Sequence, residues 1–440
     1  MRATSRNREK RNRAQARTED GSALLLAIFV LVLLTGMGVV LLFASRTDVR
    51  MSQADVRAKK AFYIAEAGLE TAREQLRLDN LASADKDSLD DELTVAAGGD
   101  GNIDLDADAL QAVYDGSGNV TGFTGYGDDV PLAGYASFGG GWYAAFLTND
   151  PVDGKTNLND TNSRVMITAI GTGKDRSLEM VQAIVERLPL PDLPATITVL
   201  GTTAGFEGGT SAAKTYEGDD CDGATGYTGV PGLSVPTVGT IGSASEASAE
   251  DGVDQPAGYD SGGETGIATV DNIESTIDPT WTTCSDLLEL ADLIKKAADY
   301  VCTVASPCTH WNTATMQTIT YVEGDLTLPE SSKGLLWVTG DLTINGADDF
   351  DGAILVIGEG SFAFSGGGNG HSIGGIVVAS IAGPDGVFGT ADDCTDAPDG
   401  FAQAWFDADG GGNHDWIYCS DALNQVTVAA PLDTMTFRQR

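Results

Sequence analysis

Basic side chains are scarce in this sequence: 26 Lys and Arg stand against 64 Asp and Glu in 440 residues, with only three His. The shortage is uneven. Residues 1–60 hold 12 basic and 5 acidic side chains, a balance of +7, which leaves the remaining 380 residues at −45. A body this acidic has no cluster of Lys and Arg to neutralise phosphates, which excludes nucleic acid as a partner. His310, His371 and His414 lie in three different local contexts, so a Ser–His–Asp arrangement has no local signature. No Gly-x-Ser-x-Gly elbow, phosphate loop or His-Glu-x-x-His motif is expected to carry chemistry here. No enzyme is expected, because no motif joins a nucleophile to a base. Cys-x-x-Cys pairs are absent too, which argues against zinc. Whole-chain disorder is excluded by a hydrophobic content of 42%.

Charge is missing altogether from one stretch, Ala23 to Ala44. At about 1.5 Å rise per residue these 22 residues span roughly 33 Å as a helix, enough to cross a bilayer. Ahead of the run stand Arg2, Arg6, Arg8, Lys10, Arg11, Arg13 and Arg17, a basic head that the positive-inside rule keeps cytoplasmic. Everything after Ala44 is then exported. The run is too long for the h-region of a secretory signal, about 7–15 residues. A permanent anchor is one reading. A prepilin leader is the other, with Gly21 and Ser22 flanking the cleavage point.

Beyond the membrane the helical idiom continues. Ala54, Ala58, Ala61, Ala65, Leu69, Ala72 and Leu76 recur at three- and four-residue spacing, and no Gly or Pro lies between Met51 and Ala67. Membrane helix and amphipathic helix therefore run on as one rod. Gly21-Ser22-Ala23-Leu24-Leu25-Leu26, followed by Ala61-Phe62-Tyr63-Ile64-Ala65-Glu66-Ala67-Gly68-Leu69-Glu70, resembles the N-terminal domain of PilX-type pilus assembly proteins. The signature positions are Ala61, Phe62, Ala65, Glu66 and Ala67. The resemblance implies a minor pilin-like protein of type IV pilus biogenesis, with other pilins and minor pilins and the prepilin peptidase as partners. Leu26 stands where a major pilin carries Glu, which argues for an assembly or pilus-tip factor over a main fibre subunit.

The expected fold class is α+β. A basic leader (1–21) precedes a transmembrane and amphipathic helix (22–78), and a pilin-like head with a loop-rich insertion follows (79–187). A Pro-rich linker (188–194) then leads to a β-solenoid-like exported domain (195–440). In the head, strands are expected at 141–147, 164–170 and 178–185, the last two joined by the turn-rich residues 171–176. A helix is expected over Ser285 to Val301. The solenoid expectation rests on a loose repeat in which Val322, Val338, Val356 and Val377 are spaced by 16, 18 and 21 residues. An irregular β-sandwich is the alternative.

Six cysteines, Cys221, Cys284, Cys302, Cys308, Cys394 and Cys419, lie on the exported side and read as up to three disulfides with fifteen possible pairings. Cys302–Cys308 closes a local loop, and Cys394–Cys419 brackets a Gly-rich segment, among those possibilities. No cofactor is required, but two loops have the oxygen spacing of calcium sites: Asp385, Asp392 and Asp393, and Asp407, Asp409, Asn413 and Asp415. Asp100, Asn102, Asp104, Asp106 and Asp108 alternate in a similar way. Exposed acidic turns explain the same patterns. Tyr126, Tyr135, Trp142, Trp337, Trp405 and Trp416 are candidates either for packed cores or for a surface that binds glycans. The rival readings of function are a surface adhesin or carbohydrate-binding protein on a pilin-like anchor, and a type II secretion pseudopilin.

Overall fold

The computed structural model describes residues 5–83, 88–173, 175–188, 190–211, 214–223, 226–253, 258–260, 269–311, 318–396, 399–430 and 432–439, with side chains from Leu24 onward except at 429. Its first element is one helix, α1 (Ser5–Ala82), of 78 residues and about 117 Å. The helix is longer than expected at both ends. No proline precedes Pro131, so every residue of α1 keeps the N–H that helix continuity needs.

The expected Ala and Leu stripe is buried from Ala61 onward: Ala61, Ile64, Ala65, Leu69, Ala72 and Leu76 are at most 3% exposed. Ala54 is exposed and Ala58 only half-buried, because the sheet beneath the helix begins one turn later. The segment expected as a loop-rich insertion holds a short helix, α2 (Asp90–Ala96), and a hairpin of β1 (Gln111–Tyr114) and β2 (Val120–Thr124). It also supplies β3 (Ala133–Phe138), the first strand of the head sheet. The three expected head strands are β4 (Gly141–Asn149), β5 (Arg164–Gly173) and β6 (Leu178–Glu186), paired antiparallel in chain order. Lys174, in their expected connector, lies outside the described residues.

The close approach of helix and sheet depends on small residues. A Cβ on Gly171 in β5 would overlap the backbone of Ala61 and Ala65. Burial of Ile64, Leu69 and Leu76 contributes about 1.5–3 kcal/mol each, whereas the half-exposed Arg57–Asp175 ion pair contributes less than about 1 kcal/mol. Packing therefore holds the helix down.

After residues 188–194, of which Pro189 lies outside the described set, the chain builds a second body. Leu188 and Leu193 are buried, so this stretch packs into that body and is not a free linker. The opening elements are β7 (Ile197–Leu200), β8 (Gly205–Glu207), β9 (Thr215–Glu217), β10 (Val238–Thr240), α3 (Ser243–Gly252), β11 (Tyr259–Asp260) and β12 (Val270–Asn272). Next come α4 (Pro279–Thr282), α5 (Cys284–Ala297) and β13 (Tyr300–Thr303), so the expected helix ends early and its tail becomes a strand. The repeat region follows as β14 (Thr318–Glu323), β15 (Leu326–Thr327), β16 (Ser332–Val338), β17 (Asp341–Asn345), β18 (Phe350–Gly358), β19 (Ser361–Ser365), β20 (Asn369–Ser380), β21 (Trp405–Asp407) and β22 (Asn413–Tyr418). The chain closes with α6 (Ser420–Ala429) and β23 (Asp433–Gln439).

From β14 onward the chain visits two parallel sheets in turn. β14, β16, β18 and β20 neighbour one another in an 11-stranded sheet, and β15, β17, β19 and β21 do so in a 5-stranded one. Val322, Val338 and Val356 share one register row as expected, but the fourth member is Val378. Val377 pairs with Leu355 and points to the opposite face, into the cluster under α5 and α6. Between the two sheets a second row stacks Leu342, Phe362, Phe406 and Phe206, with the Phe362 and Phe406 rings parallel at 4.6 Å. The long strands bend at Gly334, Gly352 and Gly374, which are in register and have φ of +118°, +126° and +132°.

The expected span 195–440 does not hold at its end. Strand β23 leaves the second body and pairs antiparallel with β6, and Leu432 enters the cluster beneath α1. The head sheet thus has the order β23-β6-β5-β4-β3, and the second body is inserted between its last two strands in sequence. Arg187, buried at the junction, donates to Thr427 Oγ1 of α6 at 3.2 Å and to the Ser88 carbonyl at 3.4 Å.

Candidate functional site

The first candidate is α1 itself. Residues 24–57 are exposed throughout, including Leu24, Leu25, Leu26, Phe29 and Phe43, and the helix is buried only where the sheet covers it. Among the described residues it is the one helix long and apolar enough to cross a membrane by length and composition. A side chain on Gly36 or Gly38 would meet nothing within 4 Å, so both leave open notches on the apolar surface. Of the signature positions, Ala61 and Ala65 are buried against the sheet, while Phe62, Glu66 and Ala67 are half-buried at its margin. Phe62 meets Phe437 of β23 edge-to-face at 6.1 Å. Gly21 and Ser22 fall within α1, but their side chains precede the first described one.

Residues 20–70 match the PilX N-terminal family model. The match begins just before Gly21 and ends within the docked stripe, so this PilX-type segment joins the exposed and the buried halves of one helix. No curated protein matches the chain. Among solved structures, a competence-associated pilin, ComZ from Thermus thermophilus, aligns over 87% of this chain and 97% of its own, at 13% identity and a TM-score of 0.24. A score that low carries no argument about fold or function.

Beyond the PilX-type segment, the cysteines pair as Cys221–Cys419, Cys284–Cys394 and Cys302–Cys308. The Cys394–Cys419 closure does not form. Cys419 precedes α6 and lies against the loop that carries Cys221, while Cys394 lies beside the first residue of α5.

Neither expected calcium loop brings three of its carboxylates within 4.8 Å of one another. Asp385 accepts from the Val387 amide at 2.9 Å and Asp393 from the Gly389 amide at 2.8 Å, while Asp392 takes the Thr390 hydroxyl at 2.5 Å. These carboxylates tie their own turn. Asp407 lies on β21 in one sheet, whereas Asn413 and Asp415 lie on β22 in the other, and Asp409 sits exposed between them. Two other acidic groups do converge within 4.8 Å: Asp100, Asp104 and Asp128, and Asp325, Asp341 and Glu359. The first draws two members from the alternating run and adds Asp128 from a separate loop. The second comes from the connection after β14, the first residue of β17 and the connection after β18. Burial raises Asp341 and Glu359 above the usual carboxylate range, and Asp325 adds to both shifts.

Sequence reasoning misses two polar clusters. One joins Asp351 to Lys333 Nζ at 2.6 Å, to the Tyr227 hydroxyl at 3.0 Å and to His371 Nε2 at 3.3 Å, with Asp349 on His371 Nδ1 at 3.2 Å. Burial pushes Asp351 up, but His371 and Lys333 together bring it below its ordinary value. Burial, then Asp351, pushes Tyr227 up to about 12. Lys333, Asp351 and His371 lie 18 and 20 residues apart on successive strands, so the stacking of the repeat is the signal that would have found them.

The other cluster corrects the expectation that no motif joins a nucleophile to a base. Gly370-His371-Ser372-Ile373-Gly374 has nucleophile-elbow spacing, and Ser372 Oγ lies 2.9 Å from His414 Nε2. The context is wrong for catalysis, however. Ser372 sits inside β20, where an elbow needs a strand-to-helix turn, and both side chains are buried beside Phe364 and Trp416. No carboxylate orients His414 Nδ1 among the described residues. His310 stacks on Tyr300 at 3.6 Å and bonds Thr320 at 2.9 Å, a packing role.

Of the six candidate aromatics, Trp337 and Trp416 are fully buried, Tyr126 packs on Phe146, and Trp142 is half-buried. Tyr135 is exposed and packs edge-to-face on Phe123. Trp405 stands on the outer face of the 5-stranded sheet.

Proposed function

We propose that the chain is a minor pilin-like subunit of the type IV pilus machinery. Its apolar helix holds it in the bacterial inner membrane until assembly, and its acidic body is exported. The observation that supports this reading most is the division of labour within α1: one uninterrupted helix is bare over residues 24–57 and buried from Ala61 onward. A buried core helix would be covered along its length, and a removable signal would not continue into the fold it serves. On this reading a prepilin peptidase cuts between Gly21 and Ser22, and the notches at Gly36 and Gly38 let helices of other pilins approach closely. The mechanism is assembly, without a catalytic step. The alternating parallel sheets of 195–430 are read as a β-solenoid carried on the head.

Purification of the full chain from sheared surface fibres tests the proposal. Co-purification with major and minor pilins is expected. Recovery only from the membrane, without pilins, contradicts it, and recovery with type II secretion components favours the pseudopilin reading. Calcium is a secondary proposal at Asp100, Asp104 and Asp128, whose carboxylates converge within 4.8 Å. A thermal midpoint that calcium raises and a chelator lowers supports it, and an unchanged midpoint removes it.

A further inference from the structure

The 5-stranded parallel sheet has one face turned to the core and one turned outward. Its inward row is the Leu and Phe stack, so the alternate positions must face solvent. Those positions carry small or acidic side chains: Thr343, Ser361, Ala363, Asp341, Asp407 and Glu207. No Lys or Arg occurs in any of the five strands. From this acidic face one large aromatic rises. Trp405 is 38% exposed, and its indole lies over Gly205, where even a Cβ would collide with the ring. The missing side chain of Gly205 is what makes room for the six-membered ring of the indole, and the rest of Trp405 stays open to solvent. Asp341 and Ser361 precede Trp405 in its own register row, and Asp407 and Glu207 lie in the outward row two residues along.

We infer that this face binds an amino-sugar polysaccharide, with Trp405 as the stacking platform and Asp407, Glu207 and Asp341 as partners for its ammonium and hydroxyl groups. The C–H bonds on one side of a pyranose ring are weakly positive and meet the negative face of an indole, and an ammonium group strengthens that attraction. Carboxylates on both sides of the ring, with no cation in the sheet, reject anionic glycans and select cationic ones. Parallel strands about 4.8 Å apart repeat the polar positions along the sheet, which suits an extended polymer better than a single sugar. The inference concerns the second body and does not depend on assembly into a fibre.

Calorimetric titration of the full-length chain in detergent micelles with a glucosamine oligosaccharide tests it, with uncharged glucose and anionic galacturonate oligosaccharides of equal length beside it. Binding of the glucosamine oligomer is expected, weakened about tenfold or more by Trp405→Ala and by about 1 M salt, where the Debye length is about 3 Å. The uncharged oligomer should bind about tenfold more weakly, and the anionic one not at all. Should Trp405→Ala lower the thermal midpoint, the isosteric pair Asp341→Asn and Asp407→Asn decides, with the same loss expected. Absence of binding, an affinity indifferent to these substitutions, or equal affinity for all three oligomers overturns the inference. Co-purification with pilins is unaffected by any of these outcomes, so the two proposals fail separately.

Discussion

Gly352 has neighbours on both sides with the same unusual backbone. With Gly334 and Gly374 it forms an in-register ladder of positive φ at the bend of the long strands, and a Cβ there would overlap the Gly334 carbonyl. Gly352→Ala is therefore expected to destabilise the second body by about 1–3 kcal/mol from backbone strain alone. Gly116→Ala, at a turn with nothing within 4 Å, should be close to neutral. Thermal midpoints of the two variants check this, and equal midpoints contradict it. His414 makes a pH prediction at the same scale. Burial first, then His371 and Lys214, holds it at about 3, against an ordinary value of 6.5. Unfolding releases it to take up a proton, so its contribution is intact above about pH 6.5 and is lost as pH falls toward 3, by up to about 1.4 kcal/mol per pH unit. His371 acts in the opposite sense. Asp351 raises it, so its contribution is full below 6.5 and is lost as pH rises through the raised value. Between pH 7 and pH 4 the stability gap between the native chain and His414→Gln should narrow, and parallel curves would refute the assignment.

At the scale of elements, α1 approaches β5 as closely as it does because Ala61, Ala65 and Gly171 meet with no larger side chain between them. Ala65→Leu should overpack this seam by about 1–3 kcal/mol and speed proteolysis between helix and sheet, whereas Ala54→Leu on the bare part should change neither. This element was legible in the sequence because its signal is periodic and local: the stripe from Ala61 to Leu76 and the apolar strands β4, β5 and β6 all declare themselves within a few residues. Elements defined by distant partners were not. Strand β23 is a short, mostly exposed run, and nothing near Asp433–Gln439 says that it completes a sheet with β6. Asp128 joins Asp100 and Asp104 only through the fold, and the Cys221–Cys419 pair spans a separation of 198 residues. The Val row was legible as a repeat but was one residue out at Val377, because β20 holds apolar residues on both faces and a continuous run carries no phase.

For the whole molecule, the return of the chain through β23 makes the second body an insertion in the head, so the head sheet is complete only once the entire second body has been made. The charge distribution follows the same plan. A +7 balance over residues 1–60 surrounds the apolar helix, and the −45 of the remainder covers the two folded bodies. That polarity suits a chain held with its basic end inside and its acidic body outside. The central claim is that the apolar half of α1 is kept as part of a processed subunit. It is tested most directly by the mass of the mature N-terminus, measured on protein from membrane and sheared-surface fractions. A start at Ser22 that disappears when the prepilin peptidase is removed is the predicted result. An intact Met1 in both fractions, or a start just after Ala44, would contradict it.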